Sequence, residues 1–120
     1  MKRYLVHLTI PLLVLVACDD FLVTDISNNE VSIIAPSHNV TLNTNKATLV
    51  WEPVDGAEDY HVVVVSPSFS EVIYHACDSI TNDYKIEVSL PIGTYEWSVQ
   101  ATNSAYASPK AIGKFQISIQ

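Results

Sequence analysis

The sequence predicts an all-β protein, a two-sheet sandwich of seven strands built from residues 31–120. From Val31 onward, short runs rich in Val, Ile, Thr, Tyr and Trp are separated by clusters of Pro, Gly, Asn, Asp and Ser. No window of eleven residues carries a helical period, and the clearest runs alternate apolar and polar side chains with a period of two. With 120 residues, 48% of them apolar, the chain has room for one domain and enough apolar side chain to give it a core. Three glycines and two cysteines exclude a collagenous chain and a disulfide-stapled mini-protein.

Residues 1–17 precede the domain and read as a signal peptide. Met1-Lys2-Arg3 is basic, and the run from Leu5 to Ala17 is mostly apolar. Thirteen residues as a helix reach only ~20 Å, short of the ~30 Å bilayer core. Leu15-Val16-Ala17-Cys18 resembles a bacterial lipobox, which implies that Cys18 is lipidated and becomes the first mature residue. The alternative is a secreted protein cut at a small residue, with Cys18 incidental. Two or three acyl chains on one cysteine anchor stably where one chain is marginal. The implied partner is therefore the membrane, through the lipid anchor. Asp19-Asp20 resembles the export signal of Bacteroidetes-type surface lipoproteins, which implies an outer-membrane location, with exposure at the cell surface as one form of it; the alternative is inner-membrane retention, which the same aspartate next to the cysteine signals in other Gram-negative bacteria. Residues 18–30 read as the lipidated cysteine and a tether. Beyond residue 17 the chain has four lysines against 13 acidic side chains, a formal charge of −9 that repels nucleic acid.

The predicted strands are Val31–Ala35, Lys46–Glu52, Glu58–Ser66, Glu71–Ala76, Tyr84–Leu90, Thr94–Asn103 and Ala111–Ile119, with Pro36, Pro53, Pro67, Pro91 and Pro109 between them. In the sixth run Tyr95, Trp97, Val99 and Ala101 face one way, and Glu96, Ser98, Gln100 and Thr102 the other, wet way. His61-Val62-Val63-Val64-Val65 does not alternate, which predicts a central strand with its outer face partly covered. The predicted core is Leu49, Trp51, Tyr60, Val62, Val64, Ile86, Val88, Tyr95, Trp97, Val99, Phe115 and Ile117.

The stretch from Leu49 to Tyr60, with Trp51, Pro53, Gly56 and Tyr60, resembles strands B and C of a fibronectin type III module. The stretch from Leu90 to Asn103 is similar to the E–F corner and strand F of that family. The resemblance implies an immunoglobulin-like sandwich in which Tyr95 is a corner tyrosine, its hydroxyl bonded to the chain just upstream. It is nearly silent on ligand, because the fold hosts many functions. Lipobox, tether and module together resemble small outer-membrane lipoproteins of Bacteroidetes-type bacteria.

Several groups are candidates for chemistry. His75 and Cys77 are two apart, which on a regular strand puts them on one face, and His61 could join them, but zinc needs three or four converging ligands. With only two secured, a half-buried histidine and a core thiol are expected, and no metal or cofactor. There is no Gly-x-Ser-x-Gly elbow, and Glu58-Asp59 point oppositely on a strand, so they cannot form a facing catalytic pair. A non-enzymatic protein is expected. The implied B–C loop (Pro53 to Asp59) and F–G loop (Asn103 to Lys110) emerge at one end, gathering Asp55, Glu58, Asn103 and Tyr106 as candidate ligand-binding residues for a glycan. Phe69, in the turn at the other end, is an exposed candidate for contact with an outer-membrane protein. Asp78-Ser79-Ile80 resembles the O-glycosylation acceptor of exported Bacteroidetes-type proteins, at Ser79; Asn39-Val40-Thr41 fits an N-glycosylation pattern of a different secretory world. The expected function is a lipid-anchored module for protein interaction or spacing at the outer membrane. The alternative is a carbohydrate-binding lipoprotein associated with polysaccharide uptake.

Overall fold

A computed structural model describes residues 22–119. Residues 1–21, and with them the expected signal peptide, Cys18 and Asp19-Asp20, lie outside the described residues. Eight strands follow in order: β1 (Ile33–Ala35), β2 (Val40–Leu42), β3 (Lys46–Trp51), β4 (Asp59–Ser68), β5 (Glu71–Thr81), β6 (Lys85–Ser89), β7 (Gly93–Thr102) and β8 (Ala111–Ile117). They form a three-stranded sheet, β1-β3-β6, and a five-stranded sheet, β2-β8-β7-β4-β5.

Seven of these strands fall on the predicted runs, and the eighth is β2. It pairs in parallel with β8, Val40 opposite Phe115 and Leu42 opposite Ile117. Between β1 and β2 the chain crosses from one sheet to the other at Pro36, which is buried and has no N–H to leave unpaired there. Three residues are too few to reveal a period of two, which is why the sequence does not announce this strand. Pro67 departs from expectation: it lies inside β4, opposite Val72. The register shifts between Ser66 and Pro67, the kind of irregularity at which a strand tolerates a proline.

The alternation in β7 sets the core. Tyr95, Trp97, Val99 and Ala101 point between the sheets and meet Leu49 and Trp51 from β3, Tyr60, Val62 and Val64 from β4, and Phe115 and Ile117 from β8. Trp51 lies 5.5 Å from Tyr60 and 6.3 Å from Trp97, ring centre to ring centre, and Tyr95 stacks on Phe115 at 5.6 Å. Gly113 is opposite Trp97, and a Cβ there would stand 2.7 Å from the indole nitrogen, so the ring occupies the space a side chain would take. Of the predicted core, Ile86 alone is only half-buried. As expected of a central strand, β4 lies between β7 and β5, and Val65 on its outer face is fully buried.

The folded unit starts earlier than the tether reading expects. Ile26 has no exposed surface and belongs to the same core cluster. An Asx turn precedes it by one position: Asp25 accepts hydrogen bonds from the Ser27 hydroxyl at 2.5 Å and the Ser27 N–H at 2.9 Å. These two bonds, the hydroxyl first, hold the Asp25 carboxyl below its ordinary pKa. A single isoleucine among polar residues carries no periodicity, so its burial is invisible until the groove it fills is known.

Candidate functional site

The β3–β4 loop and the β7–β8 loop, the B–C and F–G loops of the resemblance, do meet at one end, and Asn103 joins them. Its amide donates to Gly56 O at 3.1 Å and to Thr24 O at 2.8 Å, while its side-chain oxygen accepts from the N–H groups of Ala105 at 3.0 Å and Tyr106 at 2.8 Å. Its own N–H donates to Tyr106 O at 3.0 Å. Asn103 thus clasps three chain segments, and both amide atoms are committed to backbone. A sugar hydroxyl would have to compete with these bonds. Gly56 takes part for a steric reason: its φ is +91°, and a Cβ would come within 2.6 Å of Thr24 Cβ.

Around this clasp Asp55 and Glu58 are exposed, and Tyr106 keeps 38% of its surface. Glu58 is fixed through its backbone, whose N–H donates to Thr102 O at 2.8 Å. The Tyr60 hydroxyl accepts from Val54 N–H at 2.8 Å and braces the loop from beneath. Tyr95 behaves as the corner tyrosine that the resemblance implies: its hydroxyl donates to Pro91 O at 2.7 Å, and burial raises its pKa.

The β4–β5 turn is not the exposed tip that the sequence suggests. It curls onto the outer face of the five-stranded sheet, where Phe69 N–H donates to Glu96 Oε1 at 2.7 Å. Lys114 Nζ lies 3.6 Å from Glu96 Oε2, and the Ser66 hydroxyl donates to Thr94 O at 2.7 Å. Phe69 is half-buried, and Glu96 and Ser98, expected on a wet face, are buried. Phe69, Ser98, Lys110 and Ile112 line a groove of about 220 Å³ on this face.

The expected pairing of His75 with Cys77 fails for a geometric reason. In the β4–β5 ladder Val64 is opposite Cys77, but its neighbour Val65 is opposite His75, so Ala76 is an extra residue, a bulge. Val64 and Val65 point to opposite sheet faces, and so do Cys77 and His75. Cys77 packs against the core with its thiol 3.6 Å from Ser79 Oγ, whereas His61 turns outward to Asp78, Nε2 to Oδ1 2.6 Å. No three His, Cys, Asp or Glu side chains are grouped to hold a metal among the described residues. Ser79, opposite Val62, points to the inner side and is half-buried, so its hydroxyl is less accessible than the acceptor motif suggests.

A second register shift, at Ile73, follows the one at Ala76. β5 is an edge strand, and two bulges along it break up the regular ladder that a stray strand would copy. Its side chains nevertheless leave Val72, Ile73, Tyr74 and Ile80 exposed, Ile73 by 77%.

Two sheets ordered in this way, a chain that crosses between them at Pro36 and a corner tyrosine define an immunoglobulin-like sandwich of the fibronectin type III kind. Solved structures agree. The chain is similar to the fn3 domain of the human collagen alpha-1(XX) chain, at 18% identity over 75% of this chain and 82% of that one, with a TM-score of 0.56. It is similar to the fibronectin(III)-like modules of Clostridium thermocellum CbhA, at 22% identity over 74% and 96% of the two chains and a TM-score of 0.54. A third likeness is to FN3tt, at 18% identity over 76% and 89%, TM-score 0.54. No family model and no curated protein matches the chain.

Proposed function

We propose that this protein is a non-enzymatic fibronectin type III-like module, held at the outer membrane by lipid on Cys18, whose work is protein interaction or spacing. The observation that carries the interaction reading is the exposure of successive apolar side chains on edge strand β5, Val72, Ile73 and Tyr74, with Ile80 exposed further along it. Scattered single apolar residues on a surface need no explanation, but three in succession at the turn end of an edge strand, Val72, Ile73 and Tyr74, favour a contact surface there. Because two bulges interrupt the strand, contact through side chains is favoured over addition of a partner strand.

The lipid anchor fixes which end of the domain is presented. From Cys18 to Thr24 is six residues, at most ~20 Å when fully extended. Thr24 is tied to Asn103 at the β3–β4 and β7–β8 loop end. That end therefore stays beside the bilayer, and the ten residues of β4 carry the β4–β5 turn away from it, by ~30 Å if the domain stands upright. The glycan reading depends on Asn103, whose amide is already engaged, and on Tyr106 at the bilayer side, so the interaction reading is preferred.

Metabolic labelling with a fatty-acid analogue tests the anchor. The wild type should be labelled and membrane-bound, and Cys18→Ser unlabelled and released; persistent labelling of that variant overturns the lipobox reading. For the contact surface, a photo-crosslinking side chain at Ile73 should capture a discrete outer-membrane partner that the same group at Lys46, on the other sheet, does not. Identical capture at both positions counts against the β5 surface.

A further inference from the structure

One end of the sandwich collects exposed side chains of the kind that settle at a membrane–water interface, and the chain that leads back to Cys18 leaves from that same end. Thr24 is fixed there by the Asn103 amide and by its close approach to Gly56, and Ile26 is buried in the core two residues further on. Leu22 precedes this fixed point and is 81% exposed. Tyr106 is held to the same asparagine through its backbone N–H, with 38% of its surface open. Tyr84, in the turn between β5 and β6, joins them. Its carbonyl accepts from Trp51 N–H at 3.1 Å, where the β3–β4 loop begins, its ring lies 6.2 Å from that of Tyr60, and it is 48% exposed. A tyrosine combines an apolar ring with a polar hydroxyl, which suits the boundary between headgroups and acyl chains.

Chain length says what lies over this end. Leu22 is four residues from Cys18, at most ~14 Å when fully extended. An acylated cysteine has its chains in the bilayer, so Leu22 stays within that distance of the headgroups. Three exposed side chains would not hold a free domain on a membrane. An anchored domain meets the surface intramolecularly, at an effective concentration on the order of millimolar, where weak contacts are enough. Charge narrows the kind of bilayer. Glu52, Asp55, Glu58 and Asp83 are exposed around the same end and outnumber Lys85 and Lys110, so an anionic surface repels this end and a zwitterionic one does not.

We propose that Leu22, Tyr84 and Tyr106 rest in the interface of a zwitterionic bilayer and hold the domain upright on it, with the β4–β5 turn pointing away. The proposal rests on the lipid-anchor reading and adds to it a contact surface, an orientation and a lipid class. Val72, Ile73 and Tyr74, at the turn end of β5, are thereby carried clear of the membrane, where a protein partner can reach them.

The test uses the protein extracted from its own membranes, its acylation read from the intact mass, in nanodiscs of phosphatidylcholine doped with a gadolinium-chelating lipid. Amide line broadening then reports closeness to the bilayer surface. Broadening at Gly56, Tyr84 and Tyr106 should be several times that at Phe69 and Gly93, which lie at the opposite end. Leu22→Ser combined with Tyr106→Ser, both at exposed side chains outside the core, should even out the two ends while the protein stays on the disc. Replacing a third of the lipid with phosphatidylglycerol should weaken the broadening at the loop end at low salt, and about 0.5 M salt should restore it. Equal broadening at both ends of the wild type overturns the contact. A double variant that behaves as the wild type also overturns it, because the anchor alone then accounts for the proximity. Indifference to phosphatidylglycerol overturns the assignment to a zwitterionic surface. Protein without acyl mass on Cys18 overturns the anchoring reading and the contact with it, whereas acylated protein with equal broadening overturns the contact alone, so the two failures are told apart.

Discussion

Ile26→Ala tests the docking of the N-terminal segment, the feature of this fold that the sequence least suggests. Ile26 is completely buried among the core side chains. Truncation to alanine removes three carbon atoms, worth ~0.8 kcal/mol each in transfer free energy, and leaves a cavity that the rigid sheets cannot fully close. A loss of ~2 to 5 kcal/mol is expected. A domain of this size holds only ~5 to 15 kcal/mol in total. Urea unfolding of the full chain, followed by tryptophan fluorescence, measures it. With a slope of ~2 kcal/mol per molar, the midpoint should fall by about 1 to 2.5 M. Leu22→Ala is the control, because Leu22 is 81% exposed and its truncation should stay within ~0.5 kcal/mol of wild type. If Ile26→Ala is as mild as Leu22→Ala, the segment is not part of the core and the domain begins at Val31.

Gly113→Ala should cost ~1 to 3 kcal/mol and shift the tryptophan emission, because the new Cβ would meet Trp97 Nε1 at 2.7 Å in a core with no room to yield. Asn103→Ala removes four side-chain hydrogen bonds and should cost ~1 to 3 kcal/mol, with faster hydrogen exchange at the Ala105 and Tyr106 amides; unchanged exchange there would mean the clasp is idle. Tyr95 has a pKa raised in the folded state, so its contribution is fully present below the unfolded value of ~10 and is lost as pH rises through the folded value. Stability should therefore fall above about pH 10, and Tyr95→Phe should flatten that part of the profile while losing ~0.5 to 1.5 kcal/mol at neutral pH with its bond to Pro91 O.

The parts of the fold that can be read from sequence are those where periodicity and turn chemistry act over several residues. β7 shows four apolar residues on one side, and β8 repeats the pattern, so their inward faces follow directly. β2 and Ile26 escape because each is too short to carry a period. The candidate site was half legible. Placing Asp55, Glu58, Asn103 and Tyr106 at one end follows from the topology that the resemblance supplies. That Asn103 is spent on backbone groups was signalled only by its type and place, an asparagine leaving a strand into a turn. His75 and Cys77 show the limit of counting by two: one extra residue in an edge strand reverses the side that every later residue faces.

Alternation assigns a residue to a face, but it does not say what covers that face. Glu96 and Ser98 alternate with Tyr95, Trp97 and Val99 as an outer row should, yet both are buried, because the β4–β5 turn folds back over them. The carboxylate is the reason the turn stays there: one oxygen accepts the Phe69 N–H and the other faces Lys114, so its two acceptor atoms are both engaged at the point where water is excluded. Val65, on the same face, is fully buried. The non-alternating valine run and a lone glutamate two residues after Thr94 are thus two signs of one event, a hairpin tip packed on its own sheet. A turn that is fixed rather than free presents Phe69 in a single orientation, and the hydrogen bond from its N–H to Glu96 is what holds it there.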